Sequence, residues 1–248
     1  MHTSIERIIP RGRILPPPHH LAAEAFGTFC MVFVGAGSIV FSEAISFSLG
    51  AAGSLGTVGS LGNVGIGAAF GVSVFAVILI LGRISGAHIN LAVTLGIALL
   101  GRFPLTFVAP YWGAQLAGAS AAALLLRVVS RTDGNLGGTT PSGTAVESLL
   151  VEIVISCILM SVIATNAFDS KASRFAVAVM VGATVGVLAI LAGPISGASI
   201  NPARSFGPAV VSGAFAYQWV YWVGPLVGMS LTALVVRMVV RGKSRRGM

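Results

Sequence analysis

Two asparagines, Asn90 and Asn201, hold the same place in a stretch that occurs twice: Ser85-Gly-Ala-His-Ile-Asn-Leu-Ala-Val-Thr-Leu-Gly96 and Ser196-Gly-Ala-Ser-Ile-Asn-Pro-Ala-Arg-Ser-Phe-Gly207. Asn is a strong helix N-cap, and Pro is favoured just after a cap because its missing N–H needs no partner there. Asn201-Pro202-Ala203 fits that rule, and Asn90-Leu91-Ala92 departs from it only at Leu91. A capping Asn uses its side-chain oxygen as acceptor, so its NH2 is expected to donate into the space in front of the helix. Two such donors facing one another suit a small, uncharged, hydrogen-bonding solute. Arg204 follows the second asparagine, and a cation at membrane depth is costly enough that its default reading is functional. His88 has no ligand partner at metal spacing, so neither a metal nor a cofactor is expected. Ser199 and His88 belong to opposite copies and form no evident nucleophile–base pair, so an enzyme is not expected.

Those residues must be positioned by membrane-spanning helices. Apolar residues make up 55% of the 248-residue chain and charged residues only 9%, with a mean hydropathy of +0.94. At roughly 20 apolar residues per span, about six spans account for the length and leave no sizeable soluble domain. The net charge of +8 is concentrated at membrane flanks rather than in an aromatic-interleaved basic face, which argues against nucleic acid. Arg7, Arg11 and Arg13 precede the first span, Arg237, Arg241, Lys243, Arg245 and Arg246 end the last, and Arg83, Arg102, Lys171 and Arg174 fall in two connections on the same side. Only Arg127 and Arg131 fall opposite, a positive-inside bias that places both termini in the cytoplasm. The first twenty residues lack an apolar run, so the first helix is expected to serve as the topology signal. Cys30 and Cys157 lie within spans and read as packing residues.

In chain order the expectation is a cytoplasmic tail over 1–20, a channel-like domain over 21–240 and a basic cytoplasmic tail over 241–248. Spans are expected at about 21–41, 65–82, up to 126, 149–165, up to 192, and 217–240. Asn90 to about residue 100, and Asn201 to about residue 211, are too short to cross at 1.5 Å per residue and read as half-helices. Gly67-Ala-Ala-Phe-Gly71 and Gly182-Ala-Thr-Val-Gly186 are small-xxx-small faces that allow close helix approach. The linker 132–143 is rich in turn residues and separates repeat 1, about 21–128, from repeat 2, about 148–240. Glu24 and Glu152 stand at equivalent places near the start of each repeat. Three spans per repeat is an odd number, so the second copy enters inverted and the half-helices dip in from opposite faces. Interrupted spans at matching places in two halves point to a substrate path near the midplane.

The boxes Gly86–Asn90 and Gly197–Pro208, with Ala23-Glu24 and Tyr111-Trp-Gly-Ala-Gln-Leu-Ala-Gly118, resemble those of an aquaporin, a member of the major intrinsic protein family, over about residues 21 to 240. The resemblance implies an all-α fold of six transmembrane helices plus two re-entrant half-helices, and a homotetramer in a cell membrane. It implies a pore for water and small neutral solutes that excludes ions, with filter positions at Phe70, Ala189, Ala198 and Arg204. It gives Glu24 and Glu152 the task of holding the re-entrant loops, and His88 that of a hydrogen-bonder beside the box or a pore-lining gate. Where the family usually has Asn-Pro-Ala, the first copy has Asn90-Leu91-Ala92. Strict water channels usually carry His where Ala189 stands, which widens the expected solute range toward glycerol, urea and metalloid hydroxides. Ser205, Ala209 and Tyr221-Trp222 are similar to the water branch, whereas Ala192–Ser199 and Gly101–Pro104 are similar to the nodulin-26-like branch.

Two other readings compete. A coupled secondary transporter also uses inverted repeats and broken helices but needs ionisable groups at midplane, and the boxes carry no carboxylate. A non-conducting structural relative would be consistent with Leu91.

Overall fold

In a computed structural model the described residues are 15–48, 61–131, 134–168 and 172–246. They form α1 (Pro18–Ser48), α2 (Gly62–Leu81), the short α3 (Leu91–Leu99), one 3-10 turn (Leu105–Phe107), α4 (Val108–Ser130), α5 (Ala145–Phe168), α6 (Arg174–Ser196), the short α7 (Pro202–Ser212) and α8 (Gln218–Arg246). No strand is present among the described residues. Six of these helices are long and apolar enough to cross a membrane, and α3 and α7 are not among them. The architecture is the all-α one expected, span, span, half-helix, span, twice over. The ends differ modestly: α1 starts at Pro18, and α8 runs through Arg246, so most of the stretch expected as a basic tail continues the last helix.

Local chemistry sets the ends. Thr144 and Glu147 form a reciprocal capping box at the start of α5, Glu147 N to Thr144 Oγ1 at 3.2 Å and Thr144 N to Glu147 Oε2 at 2.9 Å. Ser173 caps α6 by accepting from Ala176 N at 3.1 Å. Gly197 ends α6 and Gly213 ends α7 at φ of 84° and 81°, conformations that glycine adopts without Cβ strain.

The small residues act inside the protomer. A Cβ on Gly71 would stand 2.8 Å from the Gly182 carbonyl oxygen, and one on Gly186 3.0 Å from that of Gly67, so α2 and α6 touch backbone to backbone. These faces therefore lend no support to an oligomer, and the tetramer rests on the family resemblance alone. The same device recurs symmetrically: Gly118 of α4 abuts the Ala25 carbonyl of α1, and Gly228 of α8 abuts that of Ile153 in α5. Large apolar side chains such as Val72, Ile80, Val128 and Leu191 point outward, as lipid-facing residues do.

The half-helices run to opposite ends of the bundle. The last turn of α3 meets Arg237, whose Nη1 donates to the Leu99 carbonyl at 2.8 Å. The last turn of α7 meets Arg127, whose Nη1 donates to the Val211 carbonyl at 3.0 Å. Arg237 and Arg127 lie late in α8 and α4, the sixth and third spans, which end on opposite faces. Each arginine satisfies orphan carbonyls and places a cation at the negative end of a helix dipole.

Candidate functional site

The two boxes enter the interior in a backbone conformation that costs energy. Ala87 and Ile89 have φ of 49° and 45°, and Ala198 and Ile200 have 42° and 56°. Non-glycine residues held there cost on the order of 1–3 kcal/mol each, and a β-branched Ile is a genuine outlier. Glu24 and Glu152 hold them in place. Glu24 Oε1 accepts from Ser85 Oγ (2.7 Å) and His88 N (2.9 Å), and its Oε2 accepts from Ile89 N (2.7 Å). Glu152 repeats the pattern with Ser196 Oγ (2.9 Å), Ser199 N (2.8 Å) and Ile200 N (2.8 Å). Tyr111 and Tyr221 complete it by donating to the Ser85 and Ser196 carbonyls at 2.9 and 2.7 Å.

With the loops so held, Asn90 and Asn201 cap α3 and α7. Asn90 Oδ1 accepts from Ala92 N at 2.8 Å and Val93 N at 3.3 Å, and Asn201 Oδ1 from Ala203 N at 3.0 Å. Their amides are less free than the cap rule alone suggests. Asn90 Nδ2 donates to the Ile200 carbonyl at 2.9 Å, and Asn201 Nδ2 to the Ile89 carbonyl at 2.8 Å. One hydrogen of each amide thus ties the boxes together, and the second hydrogen of Asn201 reaches Met31 Sδ at 3.7 Å. Leu91 does not disturb this geometry. Its side chain is fully buried, and its carbonyl accepts from Trp112 Nε1 at 2.9 Å.

The repeats differ in how α3 and α7 are braced. Gln115 of α4 donates to Glu24 Oε2 at 2.7 Å and Thr94 Oγ1 at 3.0 Å, bridging strut and half-helix. Its counterpart in α8 is Pro225, which offers no donor. In the second repeat the linker between the halves takes this place. Thr139 Oγ1 donates to Ser205 Oγ at 2.6 Å, and Ser205 meets Ser199, whose hydroxyl reaches the Asn201 carbonyl at 2.9 Å. The same linker holds Arg204, whose Nη1 donates to the Gly137 carbonyl at 2.7 Å. The guanidinium carbon of Arg204 stands 4.9 Å from the Phe70 ring centroid, within cation–π range. Its Nε makes no hydrogen bond to another described residue. The turn-rich linker is therefore part of the site, a role its composition did not announce.

His88 contributes to the box through its backbone rather than its ring. Its N–H serves Glu24, while the ring packs edge-on against Phe103 and tilted against Tyr111 at centroid distances of 4.7 and 5.3 Å, and Nδ1 has no partner among the described residues. Cys30 and Cys157 are free thiols, and Cys157 Sγ donates to the Gly228 carbonyl at 3.3 Å. No group of His, Cys, Asp and Glu among the described residues is arranged to hold a metal.

Two cavities flank this arrangement. One, of about 870 Å³, opens between His19, Arg83 and Arg174 and extends past His88, Asn90 and Asn201. The other, of about 210 Å³, lies at the opposite ends of α2 and α6, among Asn63, Thr140, Ser142 and Gly193. Phe70, Ala189, Ala198 and Arg204 line both. These four residues come from α2, α6, the second box and α7, and meet where the two cavities adjoin.

The family model of the major intrinsic protein matches residues 17–236. The chain belongs to that family. Among its relatives, Aquaporin NIP1-1 of Zea mays is 39% identical over 209 residues, 84% of this chain and 70% of the relative. Probable aquaporin NIP4-2 of Arabidopsis thaliana is 41% identical over 210 residues, 84% of this chain and 70% of the relative. The fold is also that of the aquaglyceroporin from Plasmodium falciparum, with a TM-score of 0.72, 23% identity, and 89% of this chain and 94% of that one covered. Family membership makes this a multi-pass integral membrane protein, in keeping with its six apolar helices.

Proposed function

We propose that the chain is a passive membrane channel for water and small uncharged solutes, with Phe70, Ala189, Ala198 and Arg204 as its selectivity filter. The observation that carries this reading is that those four side chains line both the larger and the smaller cavity. A solute crossing from one to the other passes an aromatic face, two small methyl groups and a guanidinium held by the Gly137 carbonyl. Such a wall offers one hydrogen-bonding edge and one apolar side, which suits water, glycerol, urea or a metalloid hydroxide. The curated relatives named as aquaporins support the water part of this reading.

Cations meet three obstacles. Arg204 carries a fixed positive charge, and the N-termini of α3 and α7 add partial positive charge where Asn90 and Asn201 meet. The paired amides supply directional donors there, which favours a neutral acceptor. Among the described residues coupled transport finds no site in these two cavities, because the oxygens of Glu24 and Glu152 are engaged by loop N–H and hydroxyl groups and neither carboxylate lines either one. Retention of the Asn90 cap beside buried Leu91 favours conduction over a structural role. The positive-inside bias supports cytoplasmic termini, and the family resemblance supports a homotetramer in the plasma membrane.

Stopped-flow light scattering of proteoliposomes tests the reading. Water flux should be rapid, non-saturating and independent of ion gradients, and glycerol or urea flux should exceed that of protein-free vesicles. Equal shrinkage with and without protein for water and every neutral solute would remove the channel reading.

A further inference from the structure

The two lumen-facing amides differ in one neighbour. Met31 of α1 and Leu159 of α5 follow Glu24 and Glu152 at the same interval and line the larger cavity. Asn201 Nδ2, already bonded to the Ile89 carbonyl, lies 3.7 Å from Met31 Sδ, so its second hydrogen points to a thioether. Among the described residues, Asn90 Nδ2 bonds to the Ile200 carbonyl alone. A thioether is a weak acceptor that a passing solute displaces.

We propose that Met31 is an oxidation site at which a hydroperoxide passing through the pore converts the second box from a donor to an occupied pair, throttling flux. The proposal rests on the channel reading, because a small neutral oxidant reaches Met31 through the larger cavity. The sulfur attacks one peroxide oxygen and the O–O bond breaks. Sulfur is oxidised by two electrons to the sulfoxide, and the peroxide is reduced, hydrogen peroxide leaving as water. The new S–O oxygen is a strong acceptor beside an amide hydrogen that solute otherwise uses, and it adds a polar, bulkier group to the lumen wall. The other methionines among the described residues are placed differently: Met160 and Met229 are fully buried, and Met180 and Met238 point outward.

The test treats proteoliposomes containing the full chain with graded doses of hydrogen peroxide, quantifies sulfoxides by peptide mass spectrometry, and measures water permeability at each dose. The expected result is a permeability that falls in step with the Met31 sulfoxide fraction, by about fivefold at full conversion, the size of one net hydrogen bond. Met31→Leu, which copies the Leu159 side, should show no peroxide response whatever its starting permeability. The proposal is overturned if Met31 sulfoxide forms with permeability unchanged, if Met31→Leu loses as much flux as the wild type, or if Met180 and Met238 oxidise while Met31 does not. Reading permeability against sulfoxide fraction within the wild-type protein makes the test independent of how the variant folds. Absence of flux before treatment would instead overturn the channel reading.

Discussion

Removing the carboxylate of Glu24 should cost more than removing that of Glu152, by an amount traceable to Gln115. Glu24→Ala strands four buried donors: the Ser85 hydroxyl, the N–H groups of His88 and Ile89, and the Gln115 amide. At about 1–3 kcal/mol per stranded donor, and allowing for relaxation at Ala87 and Ile89, the loss is about 4–8 kcal/mol, comparable to the whole stability of many domains. Glu152→Ala strands the Ser196 hydroxyl and the N–H groups of Ser199 and Ile200, and should cost about 3–6 kcal/mol. Because the Gln115–Glu24 bond is already gone in Glu24→Ala, Gln115→Leu should cost about 1–3 kcal/mol less there than in the wild type, the bond to Thr94 being all that remains to lose. The assay is thermal unfolding of detergent-solubilised protein followed by tryptophan fluorescence, with the yield of monodisperse protein as a second reading. Where Glu24→Ala does not accumulate, Glu24→Gln serves, since it keeps one acceptor oxygen and turns an NH2 toward donors. Equal losses at Glu24 and Glu152, with Gln115→Leu additive to within about 0.5 kcal/mol, would refute the reasoning.

Other outcomes follow from single contacts. Gly71→Ala places a Cβ 2.8 Å from the Gly182 carbonyl oxygen and should destabilise by about 1–3 kcal/mol, whereas Gly113→Ala, with open space around it, should be neutral or stabilising in the same unfolding assay. Arg237→Ala removes the donor to Leu99 and the cation at the end of α3, for a loss of about 1–3 kcal/mol that Arg237→Lys recovers in part. Thr139→Val breaks the hydroxyl chain to Ser205 and should cost about 1 kcal/mol. Thr139→Ser should restore it.

The parts of the site set by local rules were legible in the residues. Asn90 and Asn201 announce helix starts, the short runs after them announce half-helices, and the duplicated Glu24 and Glu152 announce equivalent struts. What eluded the sequence depends on contacts between distant segments. Turn residues at 134–143 signal a linker but not that Gly137 holds Arg204 or that Thr139 replaces the donor missing at Pro225. Arg127 and Arg237 read as flank charges, because only the fold brings them to the carbonyls of Val211 and Leu99. The cap rule placed the asparagine oxygens correctly but could not show that each amide gives one hydrogen to the opposite box. The small-residue faces were correctly read as sites of close approach, and only the fold shows that their partners lie in the same protomer.

The proposed filter of Phe70, Ala189, Ala198 and Arg204 decides what crosses between the two cavities. It is tested most directly by measuring glycerol and water permeability side by side for the wild type and Ala189→His in proteoliposomes. The imidazole should suppress glycerol flux while water flux remains well above that of protein-free vesicles. Glycerol flux that is unchanged by the substitution, or absent before and after it, would remove these four residues from the filter role.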